Sequence, residues 1–248
     1  MLMRIGAIAA ATLSLAAVPL AAQASVFGTN LIVNGDAEGS VGSTNGENNG
    51  PTPGFTTTGS FAVVQYGIGG GFPGAGDPGV AQGGLNFFAG GTPGPSTADQ
   101  LINVSSGAAV IDLGATTYDL RALLGGFASQ GDNAVLTISF LDAASLSVGS
   151  ATLGPVTNVD RDDLTGLLPR TGAGFVPVGT RGIDVFLTLT RVDGAYDDGY
   201  ADNLSLVLTG EAGPGGVPEP ASWALMLMGF GGLGAALRAR RRKAALAA

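Results

Sequence analysis

The chain has 248 residues, enough for one principal domain plus processing segments. With 45% hydrophobic and 12% charged residues it is too apolar for a wholly disordered chain and too sparsely charged for a coiled coil, and its 43 glycines follow no strict period, which excludes collagen. It has no cysteine and no histidine: no disulfide framework can form, Ser–His–Asp and Cys–His catalysis are impossible, and the usual zinc, copper and haem ligands are missing.

The N-terminus reads Met1-Leu2-Met3-Arg4, then an apolar run from Ile5 to Ala22. One positive charge, an apolar stretch and the small-x-small triplet Ala22-Gln23-Ala24 make a secretory signal peptide over residues 1–24, cut after Ala24 by signal peptidase. An uncleaved anchor is the alternative.

The body, residues 25–210, is strongly acidic. Between Ser25 and Gly216 there are eighteen acids against five arginines, a net of −13. Such a surface repels a nucleic-acid backbone, so nucleic acid is not a partner, while cations such as calcium are more plausible. Lys243 is the only lysine and lies in the tail, so the body cannot form Lys–Asn isopeptide cross-links.

Residues 39–95 are dense in Gly, Pro, Asn and Thr, broken by short apolar runs at Phe61-Ala62-Val63-Val64 and Leu85-Asn86-Phe87-Phe88. This pattern predicts long loops over one end of a domain. A phosphate-binding loop at Gly67 to Gly76 does not fit, since no lysine and no helix start accompany it.

From Tyr118 onward the pattern alternates. Tyr118 to Leu124, Val135 to Phe140, Ile183 to Thr190 and Leu204 to Leu208 place apolar residues at every second position, the period of half-buried strands. Gly131-Asp132-Asn133, Asp142-Ala143-Ala144, Asp193-Gly194 and Asp198-Gly199 supply turns between them. The expected fold is all-β, an antiparallel β-sandwich with long Gly/Pro-rich loops. Asp193, Asp197 and Asp198 lack EF-hand spacing and read as a solvated turn.

The end of the chain is punctuated. A linker, residues 211–220, contains Pro218-Glu219-Pro220; residues 221–237 carry no charge; residues 238–248 open with Arg238, Arg240, Arg241, Arg242 and Lys243. As a helix the apolar run spans about 26 Å, near the short limit for a transmembrane helix. The basic cluster would remain cytoplasmic, holding the body outside the inner membrane. The prolines keep their stretch extended, which suits a processing cleft. A plain anchor on a proline-rich stalk is the alternative.

Two resemblances follow. Residues Val217 to Lys243 resemble the PEP-CTERM sorting signal: the triplet Pro218-Glu219-Pro220, Trp223, the Met228-Gly229-Phe230-Gly231 core and the arginine cluster stand in the right order. That resemblance implies processing by an exosortase-type membrane enzyme, a transient stay in the inner membrane, delivery to the cell surface or extracellular matrix, and an association with exopolysaccharide. Asn30-Leu31-Ile32-Val33-Asn34-Gly35-Asp36-Ala37-Glu38 and Tyr200-Ala201-Asp202-Asn203-Leu204-Ser205-Leu206 resemble the first and last strands of jelly-roll, galactose-binding-like domains, many of them carbohydrate-binding modules. Ala37 departs from the pattern, which usually has a bulky residue there.

The second resemblance implies a structural calcium held by Glu38 and Asp202, with Asp36 a weaker ligand. A separate argument concerns Asp202. It shares parity with Leu204, Leu206 and Leu208, so in an unbulged strand its carboxylate points inward and needs a cation; calcium and Arg191 both qualify.

Three functions remain open. The first is a non-catalytic surface protein of the exopolysaccharide matrix that binds glycan, with Tyr196 and Tyr200 (and Tyr66 or Phe87) as aromatic contacts. The second is a carboxylate-dependent glycoside-active enzyme, with Asp160, Asp162 and Asp163 as available acids but no recognised signature. The third is a purely structural matrix or surface protein.

Overall fold

The computed structural model describes residues 25–210, together with 227–230 and 238. The predicted signal peptide 1–24, the linker 211–220 with Pro218, Glu219 and Pro220, and most of the apolar run and basic tail, including Trp223, Arg240, Arg241 and Arg242, lie outside the described residues. No helix among the described residues is long and apolar enough to cross a membrane.

Ten strands form two antiparallel sheets. They are β1 (Thr56–Thr58), β2 (Ala62–Gln65), β3 (Asn86–Gly91), β4 (Ser96–Asn103), β5 (Thr117–Gly126), β6 (Asn133–Leu141), β7 (Ser147–Leu153), β8 (Gly166–Phe175), β9 (Gly182–Thr190) and β10 (Asp197–Thr209). One sheet has the order β1-β4-β9-β6-β7 and the other β2-β3-β10-β5-β8. Within residues 25–210 the helical pieces are single turns, including α1 (Ala108–Ile111) between β4 and β5; residues 227–230 and 238 are also helical. The expected all-β sandwich is present.

The core lies between the sheets. Ala134, Leu136, Ile138 and Phe140 of β6 and Ile183, Val185, Leu187 and Leu189 of β9 meet Leu120, Ala122 and Leu124 of β5 and Leu204, Leu206 and Leu208 of β10, all buried. These are the residues the alternation singles out, and the expected turn Asp142-Ala143-Ala144 joins β6 to β7. Phe88 sits near the centre of an aromatic group, 5.8 Å from Phe55 and 5.5 Å from Phe61 between ring centroids.

Residues 39–95 depart from the expectation of loops over one end. The two short apolar runs are strands β2 and β3, and the intervening glycine-rich stretch lies across the outer face of the sheet that contains β10. Over β2, β3 and the first half of β10 that sheet is buried on both sides, while the outer face of β8 and the start of β5 stays exposed. Inward it joins the core; outward, Ala62, Val64, Phe87, Ala89, Leu123, Leu167 and Tyr200 pack with Tyr66, Ile68, Phe72, Phe127 and Tyr196. Every residue of β3 is buried, so it shows no alternation to read. The close layering also explains Gly125, where a Cβ would come within 1.9 Å of the Gly166 carbonyl oxygen.

Asn30 to Glu38 does not form the expected first strand. Asn30 makes a single bridge to Val207 and the rest is turns. The segment still runs beside the second half of β10, the neighbour it was expected to have. The Gly28 and Leu31 amides donate to the Leu208 and Leu206 carbonyls at 2.9 and 2.8 Å, and the Leu204 amide donates to Gly35 at 2.8 Å. Ala37 is fully buried with φ +60°, and the tight turn there leaves no long inward-pointing strand position for a bulky side chain.

Truncating a ring in the centre of this core leaves a void that the sheets cannot close. Phe88→Ala should lower unfolding stability by about 3–5 kcal/mol in urea titration. A loss under about 1 kcal/mol would contradict the central placement of the ring.

Candidate functional site

Three regions gather the polar and aromatic chemistry of the body. The first is the predicted calcium pair. Strand β10 carries a bulge between Asp202 and Ser205, with Asn203 at φ +50°. The bulge reverses parity: Ala201, Leu204, Leu206 and Leu208 face the core, while Tyr200 and Asp202 face the other way. Asp202 therefore does not point into the sandwich with Leu204. It is buried all the same, under the glycine-rich layer.

Its partners there are hydrogen-bond donors. The Tyr66 hydroxyl donates to Oδ2 at 2.8 Å and the Asn203 amide to Oδ1 at 2.6 Å. Arg191 is not its partner: it donates to the Gly194 carbonyl. Desolvation pushes the Asp202 carboxyl up to about 8, with smaller upward contributions from the charges of Glu38 and Asp36. Burial, then the charge and hydrogen bond of Asp202, raise the Tyr66 hydroxyl well above the usual phenol range.

Glu38 is exposed and fastens the start of β3. Its Oε1 accepts from the Leu85 and Asn86 amides at 2.7 and 2.9 Å. Gly84, at φ +73°, makes room for it, since a Cβ there would lie 2.6 Å from Oε1. Asp36 Oδ1 accepts from the Glu38 amide at 3.3 Å, an Asx-type turn. The three carboxylates are near enough to sense one another, but among the described residues no three acidic side chains gather as a metal cluster requires. An ion between Glu38 and Asp202 would have to compete with the Tyr66 hydroxyl and draw most of its ligands from carbonyls.

The second region is the opposite end of β10. Asp132, buried, accepts from the amides of Val192, Asp193 and Asp198 at 2.6 to 2.8 Å and so ties three segments together. Desolvation raises the carboxyls of Asp197 and Asp198 to about 6. Asp197 Oδ2 is buried and has no partner among the described residues. Arg161 is buried, has no carboxylate partner among the described residues, and donates to the carbonyls of Gly126, Ala128 and Leu164. Asp193, Asp197 and Asp198, expected as one solvated turn, divide: Asp193 is exposed, Asp197 buried.

The proposed aromatic contacts sit here too, and they are packing. Tyr200 is fully buried, its hydroxyl donating to Asp198. Tyr196 stacks edge-on against Phe72 at 5.2 Å and donates to the Gly46 carbonyl. Phe87 is fully buried, and Tyr66 lies 4.7 Å from it. Together these rings hold the glycine-rich layer to the sheet.

The third region is the outer face of the other sheet, which no loop among the described residues covers. At its centre Phe186 of β9 is 37% exposed. Directly across from it stand Asp99 of β4 and Thr137 of β6; the next row has Leu101, Asp184 and Ser139, and the row on the other side Thr97, Thr188 and Val135. Hydroxyl ladders continue outward, Thr58 to Thr97 at 2.6 Å and Thr137 to Thr152 at 3.2 Å. Asp184 shares a hydrogen bond with Asp99; burial, that bond and its charge push the Asp184 carboxyl up to about 6. A cleft of about 480 Å³ opens where this face meets Leu101, Asp142, Arg181 and Gly182. Phe186 was legible as the one aromatic residue on the polar parity of its strand.

The buried Asp202 carboxyl makes stability depend on pH in a defined sense. Its folded pKa lies above the unfolded value, so the folded state holds the extra proton, and stability falls as pH rises through about 8. Between about pH 7 and 8, above the midpoints near 6 of Asp184, Asp197 and Asp198, Asp202→Asn should flatten the fall in melting temperature. An unchanged slope would contradict this assignment. The expected calcium at Glu38 and Asp202 is tested by chelation: a bound ion predicts a melting temperature lowered by EDTA, because an ion bound only to the folded state must stabilise it, and an unchanged melting temperature would contradict it.

No curated protein sequence is a significant relative of the chain. Among solved structures it is similar to a family 16 carbohydrate-binding module, at 23% identity over 72% of this chain and 99% of that one, TM-score 0.41. It is similar to TmCBM61 in complex with beta-1,4-galactotriose, at 14% identity over 74% of this chain and 100% of that one, TM-score 0.39. It also resembles the enzymatically active domain of bacteriophage CBA120 tailspike protein 4, at 14% identity over 74% of this chain, spanning only 22% of the tailspike chain, TM-score 0.41. At such scores these likenesses do not bear on function. The tail is a different matter: over residues 216–242 the chain matches the PEP-CTERM protein-sorting motif, which implies an exported protein processed by exosortase, a membrane enzyme.

Proposed function

We propose that the chain is a non-catalytic protein delivered to the cell surface or extracellular matrix by its sorting tail, where its sandwich binds glycan through the open sheet face around Phe186. The observation that carries the binding reading is the contrast between the two outer faces. One is covered over β2, β3 and the first half of β10 by an aromatic layer; the other presents a central exposed ring flanked by Asp99, Thr137 and Thr97. A sugar ring stacks its apolar face on an aromatic side chain while its hydroxyls exchange hydrogen bonds with carboxylates and hydroxyls around the rim. The acidic body disfavours anionic polymers, so a neutral, hydroxyl-rich chain fits this face best. Matrix association follows from the same chemistry.

The spacing of the acids supports binding over turnover. Asp99 and Asp184 are within hydrogen-bonding reach of each other, whereas the carboxyls of a glycosidase stand about 5–9 Å apart across the scissile bond. Asp160, Asp162 and Asp163 serve their own loop: Asp160 accepts from Thr157 and pairs with Arg170 at 3.2 Å, and Asp163 accepts from Asn158.

Affinity electrophoresis of the full chain against soluble neutral glycans should show retardation without product release. Phe186→Ala should weaken retention about tenfold, equivalent to ~1.4 kcal/mol, with little change in melting temperature. Turnover of any of these glycans would refute the non-catalytic reading. Undiminished retention in Phe186→Ala would remove the site.

A further inference from the structure

All the connections at one end of the sandwich lie close to the point where the chain leaves it. Strand β10 ends at Thr209, paired with Thr117, which pairs in turn with Phe175 at the end of β8. Gly210 follows, packed so closely beside Val110, Thr116 and Phe27 that a Cβ would meet them at 2.8 to 3.1 Å. Around this exit three large apolar side chains face outward: Leu113 is 60%, Phe175 70% and Val178 59% exposed. They adjoin one another, since Val178 lies against Gly114 and the Val176 amide donates to the Thr116 carbonyl at 2.8 Å.

The charges beside this patch are paired. Arg181 holds Asp112 at 2.7 Å and Arg121 holds Asp119 at 2.5 Å. The far end of the sandwich also exposes apolar side chains, Val159, Leu164 and Val192, but it sets them among exposed acids, Asp160, Asp162, Asp163 and Asp193, of which Asp160 is held by Arg170 at 3.2 Å. Only seven residues, 211–217, separate Gly210 from the triplet that precedes the apolar run. Fully extended they reach at most about 25 Å. The apolar patch is thus tethered beside the membrane, while the acidic end is the one an anionic lipid surface would repel.

We infer that in the unprocessed protein the exit end of the sandwich, through Leu113, Phe175 and Val178, rests in the headgroup layer of the membrane that holds the tail, with the acidic end turned away. This rests on the reading of the tail as membrane-held. Burying three such side chains part-way into an interface gives a shallow, reversible contact, which becomes effective because the tether keeps the patch near the surface. Cutting the chain near Glu219 ends the tethering and releases the domain.

The chain has no cysteine, so single-cysteine variants report one position each. The full chain, labelled with an environment-sensitive fluorophore at Val178→Cys, at Leu113→Cys or at Val192→Cys at the far end, is reconstituted in phosphatidylethanolamine–phosphatidylglycerol vesicles containing headgroup-region spin-labelled lipid. The expected result is loss of fluorescence at the first two positions and none at the third, with the loss at Val178→Cys relieved when Phe175→Asp is added. Labels that are quenched equally at both ends, or at neither, overturn the inference while vesicle flotation of the chain still upholds the tail reading. Failure to float with vesicles refutes the tail reading and this inference with it. Shielding of Val178→Cys that persists in detergent without spin-labelled lipid indicates a protein partner and also overturns it.

Discussion

Strand β10 is the element on which the rest of the structure depends. It lies between β3 and β5 and runs thirteen residues, its first half covered on both faces and its second half on one. An interior strand of a sheet must pair its backbone groups along both edges within the protein. Strand β5 does so along one edge; on the other, β3 serves Asp197 to Ala201 and the Gly28 to Gly35 segment serves Leu204 to Leu208. The change of partner occurs at the Asn203 bulge, where the strand also exchanges its faces. The first half thereby gives Tyr200 and Asp202 to the aromatic layer, and the second gives three leucines to the core. The Asn30 side chain bridges the junction, accepting from the Ile32 and Leu206 amides and donating to Leu204.

How much of this was legible depended on how many faces each strand buries. Strands β5, β6, β9 and the second half of β10 show the period of two because one side faces the core and the other faces something more polar. Strands β2 and β3 are buried on both sides, and their short apolar runs between glycines look like interrupted loops. Asp202 was correctly expected to be buried and in need of a partner, but its direction could not be read through a bulge. Asn203, a residue that tolerates a left-handed backbone, was the local sign of it. Tyr196 and Tyr200 were read as surface contacts because the layer that covers them is assembled from residues more than a hundred positions away. Phe186 carried a local signal, an aromatic residue at a position whose neighbours on the same strand, Asp184 and Thr188, are polar.

The sorting motif and the sandwich occupy separate parts of the chain. The sorting motif is read in order along the tail, so its triplet, apolar run and arginines are visible in the sequence without any knowledge of the fold. In the sandwich, half of one outer face is spent on internal packing under the glycine-rich layer, and the last strand leads into the tail. A protein held first by its tail and later released needs a body that folds without it, and the body's core closes within residues 25–210.

The central claim is that the tail sets the destination and the sandwich stands independently. Fractionation of cells producing a truncation that ends at Gly216, beside cells producing the full chain, tests it directly. The account predicts a folded truncated protein with the same melting temperature that no longer reaches the surface or matrix fraction. A truncated protein found in the same fraction and the same final form as the full chain would contradict it.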